Sequence, residues 1–266
     1  MLFGERAATV ATMMRATQVT TLISFCVAVF VSASAYGETA VEAQARYQAC
    51  MKKSKISPEA AFDDATAWEG LGGGLPARHC ALAALMEIGH YAEAAQGLEK
   101  LADVVRASAA FKAQVLVQSA RAWIAAGDPQ RATAAADTAL ALTPNATGVF
   151  VVRAQAFALQ GAYWEAADDL SRVIYEDPKN VEALVLRGAA YRQLDALDLA
   201  FDDLNRALAL NPDHPEGLLE RGIVHRLSLS KSEARKDWKR VIQQAPKSQA
   251  AEAATANLHK LDSGVE

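Results

Sequence analysis

Three cysteines in 266 residues are too few for a dense disulfide framework, and their spacing does not write a zinc ribbon. Positive charge is not in excess either. Lys and Arg total 27 against 31 Asp and Glu, a formal net charge of −4, which removes the broadly basic face that a non-specific nucleic-acid binder needs. Histidines stand at 79, 90, 214, 225 and 259, never at metal-ligand spacing on one helix. The nucleophile elbow G-x-S-x-G, the zinc motif H-E-x-x-H, the P-loop and the dinucleotide fingerprint do not occur. Gly72–Gly74 forms a glycine run without the lysine of a phosphate cradle. The chain is read as non-enzymatic, with no metal and no cofactor. What it does have is 52% apolar and 22% charged residues, the balance of a globular protein with a sizeable core.

Long apolar runs are also scarce. The longest, Thr20 to Val31, covers about a dozen residues behind Arg15, signal-peptide length and short of the roughly 20 that a spanning helix needs. Small residues follow at Ala33, Ser34, Ala35 and Gly37. Residues 1–37 therefore read as a cleavable signal peptide, cut after Gly37 or Ala35, that touches a membrane only in transit. Periplasmic export is the expectation, with an uncleaved inner-membrane anchor as the alternative. Cleavage removes Cys26 and leaves Cys50 and Cys80. In an oxidising compartment an even pair favours a disulfide, and two separate buried thiols are the other reading.

Periodicity dominates the rest. Pro144, Pro178, Pro212 and Pro246 stand 34 residues apart and define units 113–146, 147–180, 181–214 and 215–248. Position 8 of the units is small (Ala120, Ala154, Gly188, Gly222), as is position 20 (Ala132, Ala166, Ala200, Ala234). Position 11 is Trp123, Phe157, Tyr191 and His225, which places His225 in an aromatic packing slot. Each unit writes two amphipathic helices of about 13 residues. This pattern resembles the tetratricopeptide repeat. The resemblance extends to 75–112, with about four extra residues assigned to its second helix, and to a degenerate hairpin at 38–74 where Ser57 and Pro58 open a helix. Residues 249–266 read as a capping helix and tail over the last exposed face. The array thus covers 75–248, and the fold class implied is an all-α, right-handed superhelical solenoid of antiparallel helix pairs.

Position 7 is Arg153, Arg187 and Arg221 where position 23 is Asp169, Asp203 and Asp237. Both are absent from unit 113–146, which has Ser119 and Ala135 there, so a ladder of salt bridges within units is expected. In the family resembled, the concave groove is lined by first helices. Here that surface would carry Val117, Arg121, Val151, Gln155, Val185, Arg192, Leu219, Ile223 and Arg226. It lacks the Lys/Asn set with which some chaperone adaptors clamp a terminal carboxylate. The implied partner is a protein or peptide with apolar anchors and acidic flanks, making the chain a scaffold or adaptor. A self-associating structural element, a homodimer for instance, is the alternative.

Overall fold

The computed structural model describes residues 39–263. The proposed signal peptide lies outside the described residues. Helices run α1 Ala40–Ser54, α2 Pro58–Trp68, α3 Gly74–Ile88, α4 Tyr91–Val104, α5 Ala109–Ala125, α6 Pro129–Leu142, α7 Thr147–Leu159, α8 Tyr163–Glu176, α9 Val181–Gln193, α10 Leu197–Leu210, α11 Pro215–Leu227, α12 Lys231–Gln244 and α13 Gln249–Ser263. No strand is present among the described residues. None of these helices is long and apolar enough to cross a membrane.

The 34-residue period works through its prolines. Each stands two residues beyond a second helix (α6, α8, α10, α12), and a proline disfavours the helical conformation of the residue before it. Those preceding residues, Thr143, Asp177, Asn211 and Ala245, have φ of −141°, −132°, −133° and −135°, so all four helices stop at the same place. The next helix then restarts on a cap. Asn180 accepts from the Ala183 amide at 2.9 Å, His214 Nδ1 from Gly217 at 3.2 Å and Ser248 from Ala251 at 3.1 Å.

The turn between the two helices of a unit demands a left-handed residue at position 15. Gly89, Gly127 and Gly161 supply it with φ of 95°, 75° and 76°, while the last two units place Asp195 and Leu229 there at 58° and 61°.

Small residues at position 8 set how closely the paired helices approach. A methyl group on Gly222 would lie 2.3 Å from Trp238 Nε1, and one on Gly188 2.9 Å from Leu204 Cγ. The glycines therefore make room for the larger residues at position 24. Leu170, Leu184, Leu204 and Leu218 are fully buried, each contributing about 1.5–3 kcal/mol of hydrophobic stabilisation.

The buried residues fall into successive clusters along the array, each shared between neighbouring units, as expected of a solenoid in which each unit shields its neighbour's apolar flank. Successive first helices touch (α5 with α7, α7 with α9, α9 with α11), whereas successive second helices make at most marginal contact. First helices therefore occupy the inner side of the array and second helices the outer side.

The N-terminal half differs from expectation at one place. Helix α4 has 14 residues, the length of α6, α8, α10 and α12. The four extra residues lengthen α5 instead, which begins at Ala109 and has 17 residues. Ser108 sets that start by accepting from the Phe111 amide at 3.2 Å. Gly72 and Gly74 lie in a wide turn, Glu69–Gly73 and the residue after it, with φ of 95° and 57°, that leads α2 into α3.

Candidate functional site

The inner side carries an apolar recess of about 670 Å³ between α7 and α9, with α5 at its edge. Ile124, Ala158, Leu159, Tyr163, Leu186 and Ala189 form its walls, and Gln155, Gln193 and Arg192 supply the polar groups. Small side chains create the space, since Ala158 and Ala189 stand where larger residues would fill it.

Of the nine residues expected to line the groove, the recess brings together only Gln155 and Arg192. Val151 and Val185 are a correction. They are buried in the core shared by units 147–180 and 181–214, because position 5 points into the seam between helices and not into the trough. Val117 packs half-buried against the preceding cluster, and Leu219 and Ile223 against the last one. Arg121 is exposed and Arg226 half-buried, both away from the recess.

The charge of Arg192 is already matched. Its Nε donates to Glu220 Oε2 at 2.6 Å and its terminal nitrogen to Oε1 at 3.3 Å, with both side chains 17% exposed. Glu220 lies on α11, so this pair links two first helices and leaves the recess electrically neutral. Sequence reasoning missed Glu220 because it sits at position 6, where the earlier units have Gln118, Val152 and Leu186.

The three arginines at position 7 lie between helices. Arg153 holds Asp169 through two bonds of 2.7 Å, Arg187 holds Asp203 at 2.7 and 2.8 Å, and Arg221 holds Asp237 at 2.8 and 2.7 Å. The aspartates are buried, and the paired carboxylates raise the pKa of Arg153 and Arg187 above the ordinary arginine value. Each arginine also donates its third nitrogen backwards, sixteen residues upstream, to Asp137 at 2.7 Å, Ser171 at 3.0 Å or Asn205 at 3.0 Å. The ladder therefore joins units as well as the helices within them, and the arginines are fully engaged inside the structure. In unit 113–146 the same place is taken by Ser119, which donates to Ala95 O at 3.0 Å and Glu99 Oε1 at 3.2 Å, while Trp123 Nε1 donates to that Glu99 oxygen at 2.7 Å.

His225 faces Phe201 edge-on at 5.1 Å and lies 3.8 Å from Asp237; burial lowers its pKa. His79 is more enclosed. Tyr47 OH lies 2.7 Å from its Nδ1 and Gln118 Oε1 lies 3.0 Å from its Nε2, an arrangement satisfied by a neutral ring that accepts from the tyrosine and donates to the glutamine. Desolvation lowers its pKa as well. Nearby, the Cys50 and Cys80 sulfurs are within bonding distance, with Cα atoms 6.1 Å apart, joining α1 to α3. Among the described residues no group of three His, Cys, Asp or Glu side chains could hold a metal ion.

The sequence matches no protein-family model, and no curated protein resembles it significantly. Solved structures do resemble the fold. TTC0263, a thermophilic TPR protein of Thermus thermophilus, superposes with a TM-score of 0.54 at 24% identity, covering 65% of this chain and 94% of that one. MamA from residue 41 to its end, from Desulfovibrio magneticus RS-1, gives 0.54 at 20% identity, covering 70% and 98%. A further crystal structure of MamA gives 0.52 at 16% identity, covering 62% and 95%. At these identities the likeness is one of architecture, and it agrees with the repeat read from the prolines. The chain has the tetratricopeptide-repeat fold, an all-α solenoid of antiparallel helix pairs.

Proposed function

We propose that this chain is a non-catalytic scaffold of the bacterial envelope that holds an extended segment of a partner protein against its inner side. The observation that carries this reading is the apolar recess between α7 and α9, lined by Ala158, Ala189, Tyr163 and Leu186. At about 670 Å³ it has room for more than one bulky apolar side chain of an extended segment. Gln155 and Gln193 at its edge offer donors and acceptors to the amide groups of an extended peptide backbone. Because Glu220 neutralises Arg192, the recess selects an uncharged anchor, which replaces the sequence-based expectation of acidic flanks.

Binding of the full chain to an array of short peptides tests the reading. Bound peptides are expected to share a bulky apolar residue. Ala158→Arg, which fills the recess from a half-buried position, should abolish capture without lowering the melting temperature. Capture that survives Ala158→Arg overturns the assignment.

Export belongs to the same proposal, supported by the apolar run Thr20 to Val31 and the small residues after it. The Cys50–Cys80 bond is proposed to form in the oxidising periplasm. N-terminal sequencing of the chain recovered from the periplasm is expected to start at Tyr36 or Glu38. Retention of residues 1–37 in a membrane fraction would favour the anchor instead. A second reading, self-association, is favoured by a different surface, the outer faces of α8 and α12.

A further inference from the structure

The second helices share one geometry but not one charge. Along the outer face of α8, Glu165, Asp168 and Glu176 are exposed, together with Trp164 (65% exposed) and Tyr175 (84%). Asp168, Glu176, Tyr175 and Phe150 line a cleft of about 370 Å³ on this side. Arg172 in the same cleft is occupied, lying 3.3 Å from Asp168 and 5.5 Å from the Phe150 ring. With Asp168 and Phe150 engaged by Arg172, the face offers Glu165, Glu176, Trp164 and Tyr175 to a lysine or arginine side chain.

Two units later the same face is inverted. At position 22, Asp168 and Asp202 give way to Lys236, and at position 25, where earlier units place an acceptor for the next arginine, stands Lys239. A groove of about 490 Å³ on α12 is lined by Arg235, Lys236, Lys239 and Arg240 with Ser232 and two glutamines. Arg240 meets Asp213, Arg235 meets Asp262 and Lys236 lies 3.7 Å from Glu233, but Lys231 and Lys239 have no ion-pair partner among the described residues. Lys239 ends the arginine ladder, because no arginine follows it. That role accounts for the loss of an acceptor and not for the gain of a charge.

We propose that α12 of one copy covers α8 of a second copy in a back-to-back pair. A two-fold axis running along α10 satisfies both contacts at once: α12 faces the other copy's α8, α8 faces its α12, and α10 meets α10. The exposed Leu199 of α10 then lies near the axis, beside the ion pair of Asp202 and Arg206. Opposite charge brings the faces together, and Trp164 and Tyr175 lie under the aliphatic stems and cationic heads of the α12 side chains. This inference is independent of the inner recess.

Sedimentation of the full chain is the test, with Trp164 fluorescence as a second readout, since Trp68, Trp123 and Trp238 are already buried. A dimer is expected at about 50 mM salt, weakened at least about tenfold at about 500 mM as the charges are screened, with a blue shift of the tryptophan emission on dimerisation. Lys236→Glu with Lys239→Glu should give a monomer, and so should Glu165→Lys with Asp168→Lys. Mixing these two variants makes both contacts complementary again, so a heterodimer should form, which also shows that each variant is folded. A chain that stays monomeric at low salt overturns the proposal, as does a dimer indifferent to both double substitutions. Binding of a monomeric chain to phosphatidylglycerol vesicles, lost in the α12 variant, would overturn it by giving that face to lipid.

Discussion

Arg187 and Asp203 form a two-bond clasp, 2.7 and 2.8 Å long, between helices sixteen residues apart, and the aspartate is almost wholly withdrawn from water. The third nitrogen of the same guanidinium reaches Ser171 of the preceding unit. Removing one member leaves the other charged and buried, which costs about 3–5 kcal/mol in comparable pairs. Asp203→Ala is therefore expected to lower the urea midpoint sharply. Arg187→Met with Asp203→Leu, which removes both charges, should recover most of the loss. If the double variant is as unstable as the single one, the clasp is not the source of the effect. Arg187→Lys should lie between, because an ammonium cannot bond three acceptors in a plane.

Leu229 occupies a left-handed position, φ 61°, with 84% of its surface exposed. A branched side chain there opposes the backbone, and nothing is gained by burial. Leu229→Gly is expected to raise stability by about 1 kcal/mol, read as a higher melting temperature. Gly161→Ala at the equivalent turn should move it by a similar amount in the opposite direction. Should Leu229→Gly be destabilising, the exposed leucine makes a contact in solution that the isolated chain lacks.

Much of this was legible in the sequence because the chain repeats itself. A proline every 34 residues fixed the ends of α6, α8, α10 and α12, and the pairing of Arg153 with Asp169 followed from their appearing and vanishing together. The backward bonds were not legible, because Glu99, Asp137, Ser171 and Asn205 share an acceptor oxygen and not an identity. The apolar period assigns the four extra residues of 75–112 to its second helix, whereas they lengthen α5, since period alone does not say on which side of a short link a turn is added. Ser108 decides it by capping α5. Groove residues were least legible. Whether position 5 faces the trough or the seam depends on how closely successive first helices approach, and that distance is set by side chains in two units at once.

His79 gives the fold an acid-sensitive point. Its ring is buried and satisfied in the neutral form by Tyr47 and Gln118, and its pKa in the folded chain lies below the ordinary 6.5. Between those two values the unfolded chain binds the proton and the folded chain does not. Stability is then complete above about pH 6.5 and declines as the pH falls through that window. His225 contributes in the same direction. Melting temperatures recorded from about pH 8 to about pH 5.5 should fall, and His79→Gln, neutral throughout, should flatten the decline. An unchanged slope in that variant would assign the acid sensitivity elsewhere.

The proposed Cys50–Cys80 bond would fasten α1, the first of the described helices. Among the described residues helix α1 packs chiefly on α2 and α3, around a small cluster of Cys50, Ala65, Cys80 and Ala81 with Met51 and Phe62. With so little apolar surface behind it, α1 relies on the bond. Closing a loop of about 30 residues stabilises by about 3–4 kcal/mol in the chain-entropy model. Reduction is therefore expected to release α1 before the remainder. Trypsin should cut at Arg46, Lys52, Lys53 and Lys55 in the reduced chain while the units from α5 onward stay protected. Cys50→Ser with Cys80→Ser should reproduce that pattern without reductant. Equal protection of α1 in oxidised and reduced chains would mean that its packing on α2 and α3 suffices, and that the two thiols serve as small core residues.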